Sequence, residues 1–248
     1  MSLPPNFNRL AAVYRWMEWA SFGPWLGWCR CAFLPQVTAS RSAIVLGDGD
    51  GRFTARLLAA NPLVQIDAID ASSAMLTALV RRAGPHSTRV HTCLADARTW
   101  HPTNGTGFSP YINTTKATGA LAPEGFIPRD STPAYDLFVT HFFLDCLTTG
   151  EVQSLATNLR RAASPSAIWL VSEFAIPPTL FGRVVARPLV SALYAAFALL
   201  TGLAIRTLPD HSSALRQSGF TLHKRRTWLA GLLVSELWSA SAAKIALN

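Results

Sequence analysis

The residues whose types and spacing are best suited to chemistry are Gly47, Gly49 and Gly51, in the run Ile44-Val45-Leu46-Gly47-Asp48-Gly49-Asp50-Gly51-Arg52-Phe53. An apolar run that empties into alternating glycines and then into a helical pattern describes a strand, a tight turn and a helix N-terminus. Glycine lets the main chain approach a ligand, and the free N–H groups of such a turn favour polar or anionic atoms. A nucleotide-type cofactor is therefore the first expectation. A Walker phosphate loop would need a Gly-Lys-Ser/Thr ending, which this run lacks. A calcium loop opening at Asp48 would need a glycine and a carboxylate where Phe53 and Ala59 stand. The dinucleotide fingerprint asks for GxGxxG, whereas this chain reads GxGxG followed by Arg52.

Further acids follow in order. Asp70 closes the next β-rich run, about 20 residues beyond Gly49, where a carboxylate can accept both hydrogen bonds of a ribose diol. Asp96, in Leu94-Ala95-Asp96-Ala97, follows a third run and can receive the exocyclic amino group of adenine. A fourth run ends in Thr140-His141-Phe142-Phe143-Leu144-Asp145-Cys146. Here His141 is a candidate general base near neutral pH, Asp145 can orient or replace it, and Phe142 or Phe143 can pack against adenine or an apolar acceptor. Equally, His141 can bond backbone groups while Phe142, Phe143 and Leu144 fill the core. Glu173, after a fifth run, either touches an acceptor or caps the next turn.

A parallel sheet would place all these residues on one edge. Strands are expected over Ala43–Leu46, Val64–Ile69, Arg89–Leu94, Leu137–Thr140 and Ala167–Val171, with helices over Arg52–Ala60, Ser73–Arg82 and Glu151–Ala163 between them. The last helix aligns Val152, Leu155, Ala156, Leu159 and Ala163 on one face. After Pro209 come a short helix around Ala214–Gln217 and two strands, Gly219–Thr227 and Leu232–Trp238, read as an antiparallel pair. The fold class is α/β: a Rossmann-like, seven-stranded, mostly parallel sheet with helices on both faces and a C-terminal antiparallel strand pair. In such open sheets ligands bind in the crevice beyond the carboxyl ends of the strands.

Leu10, Val13, Tyr14 and Met17 follow the spacing of an amphipathic helix, beside Trp16 and Trp19. That helix either covers the core or closes over the cofactor and contributes Tyr14. Residues 1–40 thus read as a helical cap and 41–240 as the core of one domain spanning 1–248. The stretch His101–Pro133, rich in Gly, Thr, Pro and Ser and without period, reads as a flexible insertion over 101–134.

The net charge of +8 does not point to nucleic acid, because the arginines are scattered and the dense run His223-Lys224-Arg225-Arg226 is short and lies in an expected strand. Cys29, Cys31, Cys93 and Cys146 form no CxxC pair and have no histidines at zinc-ligand spacing, which fits reduced thiols in a cytoplasm. Arg9, Arg15 and Glu18 interrupt the N-terminal apolar pattern, so no signal peptide is expected. Pro188–Ile205 carries no charge and, at ~1.5 Å per residue, could just cross a bilayer. Against this, Arg187, Ser191, Tyr194, Ala198 and Thr201 draw a small or polar stripe down one face, which favours a buried or lid helix.

Taken in order, GxGxG, Asp70-Ala71-Ser72-Ser73-Ala74-Met75-Leu76, Ala95-Asp96-Ala97, Tyr135-Asp136-Leu137-Phe138-Val139 and the terminal strand pair resemble the class I S-adenosylmethionine-dependent methyltransferases. The resemblance covers residues 40–240, and Phe7–Ala20 is similar to the N-terminal cap of small-molecule members, quinone-biosynthesis enzymes among them. It implies S-adenosylmethionine as cofactor, with Gly47, Gly49 and Gly51 along its methionine part, Asp70 at the ribose, and Asp96 with Ala97 at the adenine. Asp48, Ala71, Met75, His141 and Tyr14 complete the implied cofactor set, and His141 and Asp145 are the candidate catalytic pair. The family usually carries an acid two residues before the first glycine, helping to hold the cofactor's amino group. Val45 stands there in this chain, and Asp48 or Asp50 could supply the charge from within the loop. The expected function is methyl transfer to a small apolar molecule, which the apolar 181–206 segment and Trp228–Trp238 would suit. The alternatives are a lipid or quinone methyltransferase peripheral to a membrane, an NAD-dependent oxidoreductase, and a non-catalytic module on the same fold.

Overall fold

The computed structural model describes residues 22–98, 135–201 and 207–240. The expected cap helix with Tyr14, the 101–134 insertion and the end of the 188–205 segment lie outside the described residues.

Seven strands form one sheet in the order β3-β2-β1-β4-β5-β7-β6. β1 (Ser42–Leu46), β2 (Gln65–Asp70), β3 (Val90–Leu94), β4 (Tyr135–His141) and β5 (Ala163–Phe174) run parallel, while β7 (Leu233–Ser239) lies antiparallel between β5 and β6 (Thr221–Trp228). The chain builds outward from β1 to β3 on one side and from β4 onward on the other. β1 and β4 are thus the neighbours at which the winding reverses, and their carboxyl ends flank the crevice. The expected architecture is the observed one. β5 is longer than its apolar run: it starts directly where helix α4 (Thr149–Ala162) ends, so Ser164, Pro165 and Ser166 extend it.

Alternation along each strand divides the core between two faces. Ile44, Leu46, Phe138, Trp169 and Val171 pack under α4, through Val152, Leu155 and Leu159, and under α6 (His211–Gln217). Ala43, Val45, Ile66, Leu137 and Val139 pack under α2 (Arg52–Ala60), through Phe53, Leu57 and Leu58, and under α3 (Ser73–Ala83). A third cluster joins Leu26 and Cys29 of α1 (Trp25–Arg30) to Ala186, Val190, Leu232 and Leu233. Ala186 closes a π-helical turn, Gly182–Ala186, that leads into α5 (Arg187–Thr201). Side chains start the helices where the pattern does: Ser72 caps the N-terminus of α3, Thr148 and Glu151 close a capping box at the N-terminus of α4, and Asp210 caps that of α6.

Candidate active site

All three loop glycines have positive φ: +63° at Gly47, +57° at Gly49 and +78° at Gly51. Each therefore holds a conformation that other residues adopt only under strain. Their surroundings differ. The Gly47 N–H donates to the Ile69 carbonyl at 3.0 Å, tying the loop to the end of β2, and the Phe143 ring covers the face where a Cβ would project. Gly51 is buried under α3, with a would-be Cβ 2.7 Å from the Leu79 Cα, so this glycine serves helix packing. Gly47 and Gly49 remain half-buried on the loop.

The two loop acids part company. Asp50 faces outward and pairs with Arg52 at 3.0 Å and Arg82 at 2.6 Å. Asp48 turns inward: its Oδ2 accepts the Thr54 N–H at 2.9 Å and the Thr54 hydroxyl at 2.7 Å, satisfying a free donor of the first turn of α2. Its Oδ1 is buried without a partner. Burial pushes the Asp48 carboxyl up, against the pull of the Thr54 bonds and of the Arg30 charge. Val45 is 1% exposed in the core beneath α2 and α3.

Asp70 stands beside this loop, half-buried, its Oδ1 accepting the Ser72 N–H at 2.8 Å. Burial, with the nearby Asp48 charge adding to it, raises this carboxyl to about 6. Ala71 is exposed and Met75 buried in the first turn of α3. Asp96 is gripped by the Arg98 guanidinium, whose Nε lies 2.9 Å from both carboxylate oxygens. Although burial acts the other way, the Arg98 hydrogen bonds and charge hold Asp96 below its ordinary value. Ala97 turns into the core under α4.

At the end of β4, His141 is 2% exposed, stands edge-on to Phe53 at 4.6 Å between ring centroids, and leaves both ring nitrogens buried without a partner. Burial, and then the Arg30 charge, hold it well below the usual histidine range, so the ring is neutral at physiological pH. Phe142 follows at φ +53°, its N–H donating to the Ser172 carbonyl at 2.6 Å and its ring packed on Phe174 at 5.1 Å. Next come the N–H groups of Phe143 and Leu144, both donating to Glu173 Oε1, at 3.2 and 2.8 Å. Glu173 Oε2 is buried without a partner. Glu173 and Asp145 form a buried carboxyl pair: burial, and then the Asp145 charge, raises Glu173 well above the ordinary range, while burial raises Asp145 to about 6. The Cys146 thiol lies 3.6 Å from Asp145 Oδ1, and the Tyr194 hydroxyl donates to the Asp145 carbonyl at 3.4 Å.

The structure thus gathers Gly47, Asp48, Gly49, Asp70 and His141 around the ends of β1, β2 and β4, with Asp145 just beyond. Asp96 lies at the end of the outer strand β3. Sequence reasoning missed Arg30. It is 5% exposed, its guanidinium sits 5.1 Å from the centre of the Phe142 ring, and its charge reaches both Asp48 and His141. Its one sequence signal is a lone cation in the apolar run Trp25-Leu26-Gly27-Trp28-Cys29-Arg30. The tie from Glu173 to the turn after β4 was also missed, since it joins residues distant in sequence.

This arrangement sits on a fold shared with known proteins. The chain is similar to the S-adenosylmethionine-dependent methyltransferase SibL, with 20% identity and a TM-score of 0.59 over 97% of this chain and 63% of that one. It is similar to mitomycin 7-O-methyltransferase MmcR, with 13% identity and a TM-score of 0.59 over 92% and 57% of the two chains. Human N-acetylserotonin methyltransferase in complex with S-adenosylmethionine gives 15% identity and a TM-score of 0.56 over 94% and 59%. The fold is that of the S-adenosylmethionine-dependent methyltransferases. The chain spans about three fifths of the length of these solved structures. No protein-family model and no curated protein matches its sequence.

Proposed function

We propose that this chain transfers a methyl group from S-adenosylmethionine to a small molecule with an apolar body. The observation that carries the reading is the alignment of a positive-φ glycine loop, Asp70 and Asp96 along the carboxyl ends of three adjacent parallel strands. The unpartnered buried atoms of Asp48 and His141 add to it, since buried polar groups are costly unless a ligand satisfies them. Gly47 and Gly49 would lie along the methionine part of the cofactor, Asp70 at the ribose and Asp96 with Ala97 at the adenine. When bound, S-adenosylmethionine supplies an electrophilic sulfonium methyl. The protein's share is then alignment, plus a base where the acceptor must lose a proton.

Of the two candidate bases, Asp145 is the better suited. Its pKa of about 6 leaves it ionised at pH 7 yet more basic than an ordinary carboxylate. Glu173 positions it by holding the Phe143 and Leu144 N–H groups of the turn that carries it. His141, neutral and shielded, acts as a hydrogen-bonding group. Calorimetry of S-adenosylhomocysteine and of NADH against the folded protein tests the cofactor: binding of the former alone is expected, and binding of neither, or of NADH alone, overturns the reading. With an acceptor in hand, Asp145→Asn should lower turnover by roughly 100-fold or more. Full turnover in that variant removes the assigned base.

One observation favours delivery of the acceptor from a lipid surface. Leu180, Val184, Val185 and Leu189 are exposed large apolar residues on one short segment, beside exposed Arg183 and Arg187. Among the described residues no helix is long and apolar enough to cross a membrane, so the contact would be peripheral.

A further inference from the structure

We propose that this chain forms a two-fold dimer through β3, the β3 strands of two copies pairing antiparallel about Thr92 so that their sheets run on as one. The two edges of the sheet are unlike. At one, β6 exposes Lys224, Arg225 and Arg226 and shifts register against β7 between Leu222 and Lys224. Charges and irregularities of this kind keep an edge strand from pairing with another chain. At the other edge β3 reads Val90-His91-Thr92-Cys93-Leu94, without lysine, arginine, acid or proline, and its register against β2 is unbroken. Arg89, the cation next to the strand, turns back to the Leu58 and Asn61 carbonyls at 2.7 Å each. Among the described residues no strand pairs with the outer side of β3.

The register of the pairing follows from the backbone. The Ala95 N–H donates to the Asp70 carbonyl at 3.1 Å, so Ala95 turns its peptide groups toward β2. Successive residues of a strand point these groups to opposite sides, which directs those of Val90, Thr92 and Leu94 outward. Antiparallel pairing centred on Thr92 sets this residue opposite its own counterpart and Val90 opposite Leu94, so every outward N–H and C=O of the strand finds a partner. The side chains agree with that register. Val90, Thr92 and Leu94 share the α3 face of the sheet, where the pairs formed are apolar or threonine on threonine and no like charges meet. Leu94 is 58% exposed and Val80 of α3 37%. Ser73, Leu76, Thr77 and Val80 of α3, with Thr92, line an open groove of about 370 Å³ beside the edge. A two-fold axis normal to the sheet brings the second copy's α3 to this same side, so the pairing that satisfies the backbone also covers Leu94 and the groove.

Analytical ultracentrifugation of the full chain between about 1 and 100 μM should show a monomer–dimer equilibrium, since a contact of this size lies at the weak end of specific interfaces. Thr92→Lys sets two ammonium groups opposite each other and should weaken the dimer by about tenfold or more, as should Leu94→Lys. Thr92→Pro removes an outward donor that the strand does not use within its own sheet, and should have the same effect. Thr227→Lys, a like change on the β6 edge, should leave the dimer within about twofold. Thr92→Cys places two thiols opposite each other with Cα atoms about 5.5 Å apart, within disulfide reach, so mild oxidation should cross-link it faster than the unmodified protein or Thr227→Cys. Circular dichroism checks that each variant is folded, and if Thr92→Pro is not, the exposed Leu94→Lys carries the test. A chain that sediments as a monomer at every concentration overturns the proposal. So does a dimer that the Thr92 and Leu94 variants leave intact, that Thr227→Lys weakens as much, or that Thr92→Cys does not cross-link.

Discussion

Replacing Asp145 by asparagine should make the protein more stable and, at the same time, less active. Asp145 is 7% exposed, next to a second buried carboxyl, and its pKa rises from an ordinary 3.8 to about 6. At 1.36 kcal/mol per pH unit, holding that carboxylate ionised in the fold costs ~3 kcal/mol. The sign follows from proton binding. The folded pKa lies above the unfolded one, so between pH 4 and pH 6 the folded state holds more protons than the unfolded state, and stability falls as pH rises through that window. Below it both states are protonated and the cost vanishes; above it the cost is constant. Asparagine is neutral throughout and retains a carbonyl for the Cys146 thiol. Asp145→Asn should therefore gain ~3 kcal/mol at pH 7.5, about half as much near pH 5, and almost nothing near pH 4. Urea unfolding at those pH values measures it, and at neutral pH the melting temperature should rise by roughly 6–12 °C. A gain of equal size at every pH would refute the reasoning, as would a loss at pH 7.5, because either would mean that the cost is not one of ionisation.

Gly51→Ala should destabilise the fold by about 2–5 kcal/mol, from a left-handed backbone and a Cβ driven into α3. A variant melting within a degree of the parent would show that the loop gives way. Gly47→Ala meets only the Phe143 ring, which can move, so its cost in stability should be smaller and its cost in S-adenosylhomocysteine affinity larger. If the exposed 180–189 segment meets a bilayer, the protein should cosediment with vesicles of anionic lipid at low salt, and Arg183→Ala with Arg187→Ala should weaken binding by about 1 kcal/mol per arginine. Equal binding to neutral and anionic vesicles would count against that surface.

The strands and the sheet edge were legible in the sequence because they rest on local signals. Apolar runs fix β1 and β4, glycines mark the turn after β1, Asp70 ends β2, and Asp96 stands two residues past β3. The directions of the loop acids were not legible. Asp48 and Asp50 are separated by one glycine, and only the positive φ values on either side send one carboxylate to Thr54 and the other to Arg82. Arg30 and Glu173 were hidden for a different reason: Arg30 meets Phe142, and Glu173 meets Phe143 and Leu144, from other elements of the fold, and no periodicity encodes such a meeting. His141 was legible as a place but its neutral state was not, since its pKa is lowered by burial and then by Arg30 rather than set by its position at a strand end.

Phe142 explains how these distant parts are held in register. A bulky side chain at φ +53° is strained, typically by 1–3 kcal/mol, and persists only where its neighbours enforce it. Here the Ser172 carbonyl fixes its N–H, while Phe174 and Arg30 hold its ring. The reversal breaks the alternation of β4. Phe142 joins the cluster of α1 and α5, whereas Phe143 turns back over Gly47, and the two N–H groups that follow converge on Glu173. One strained residue thereby links the glycine loop, the buried cation of α1 and the carboxyl pair.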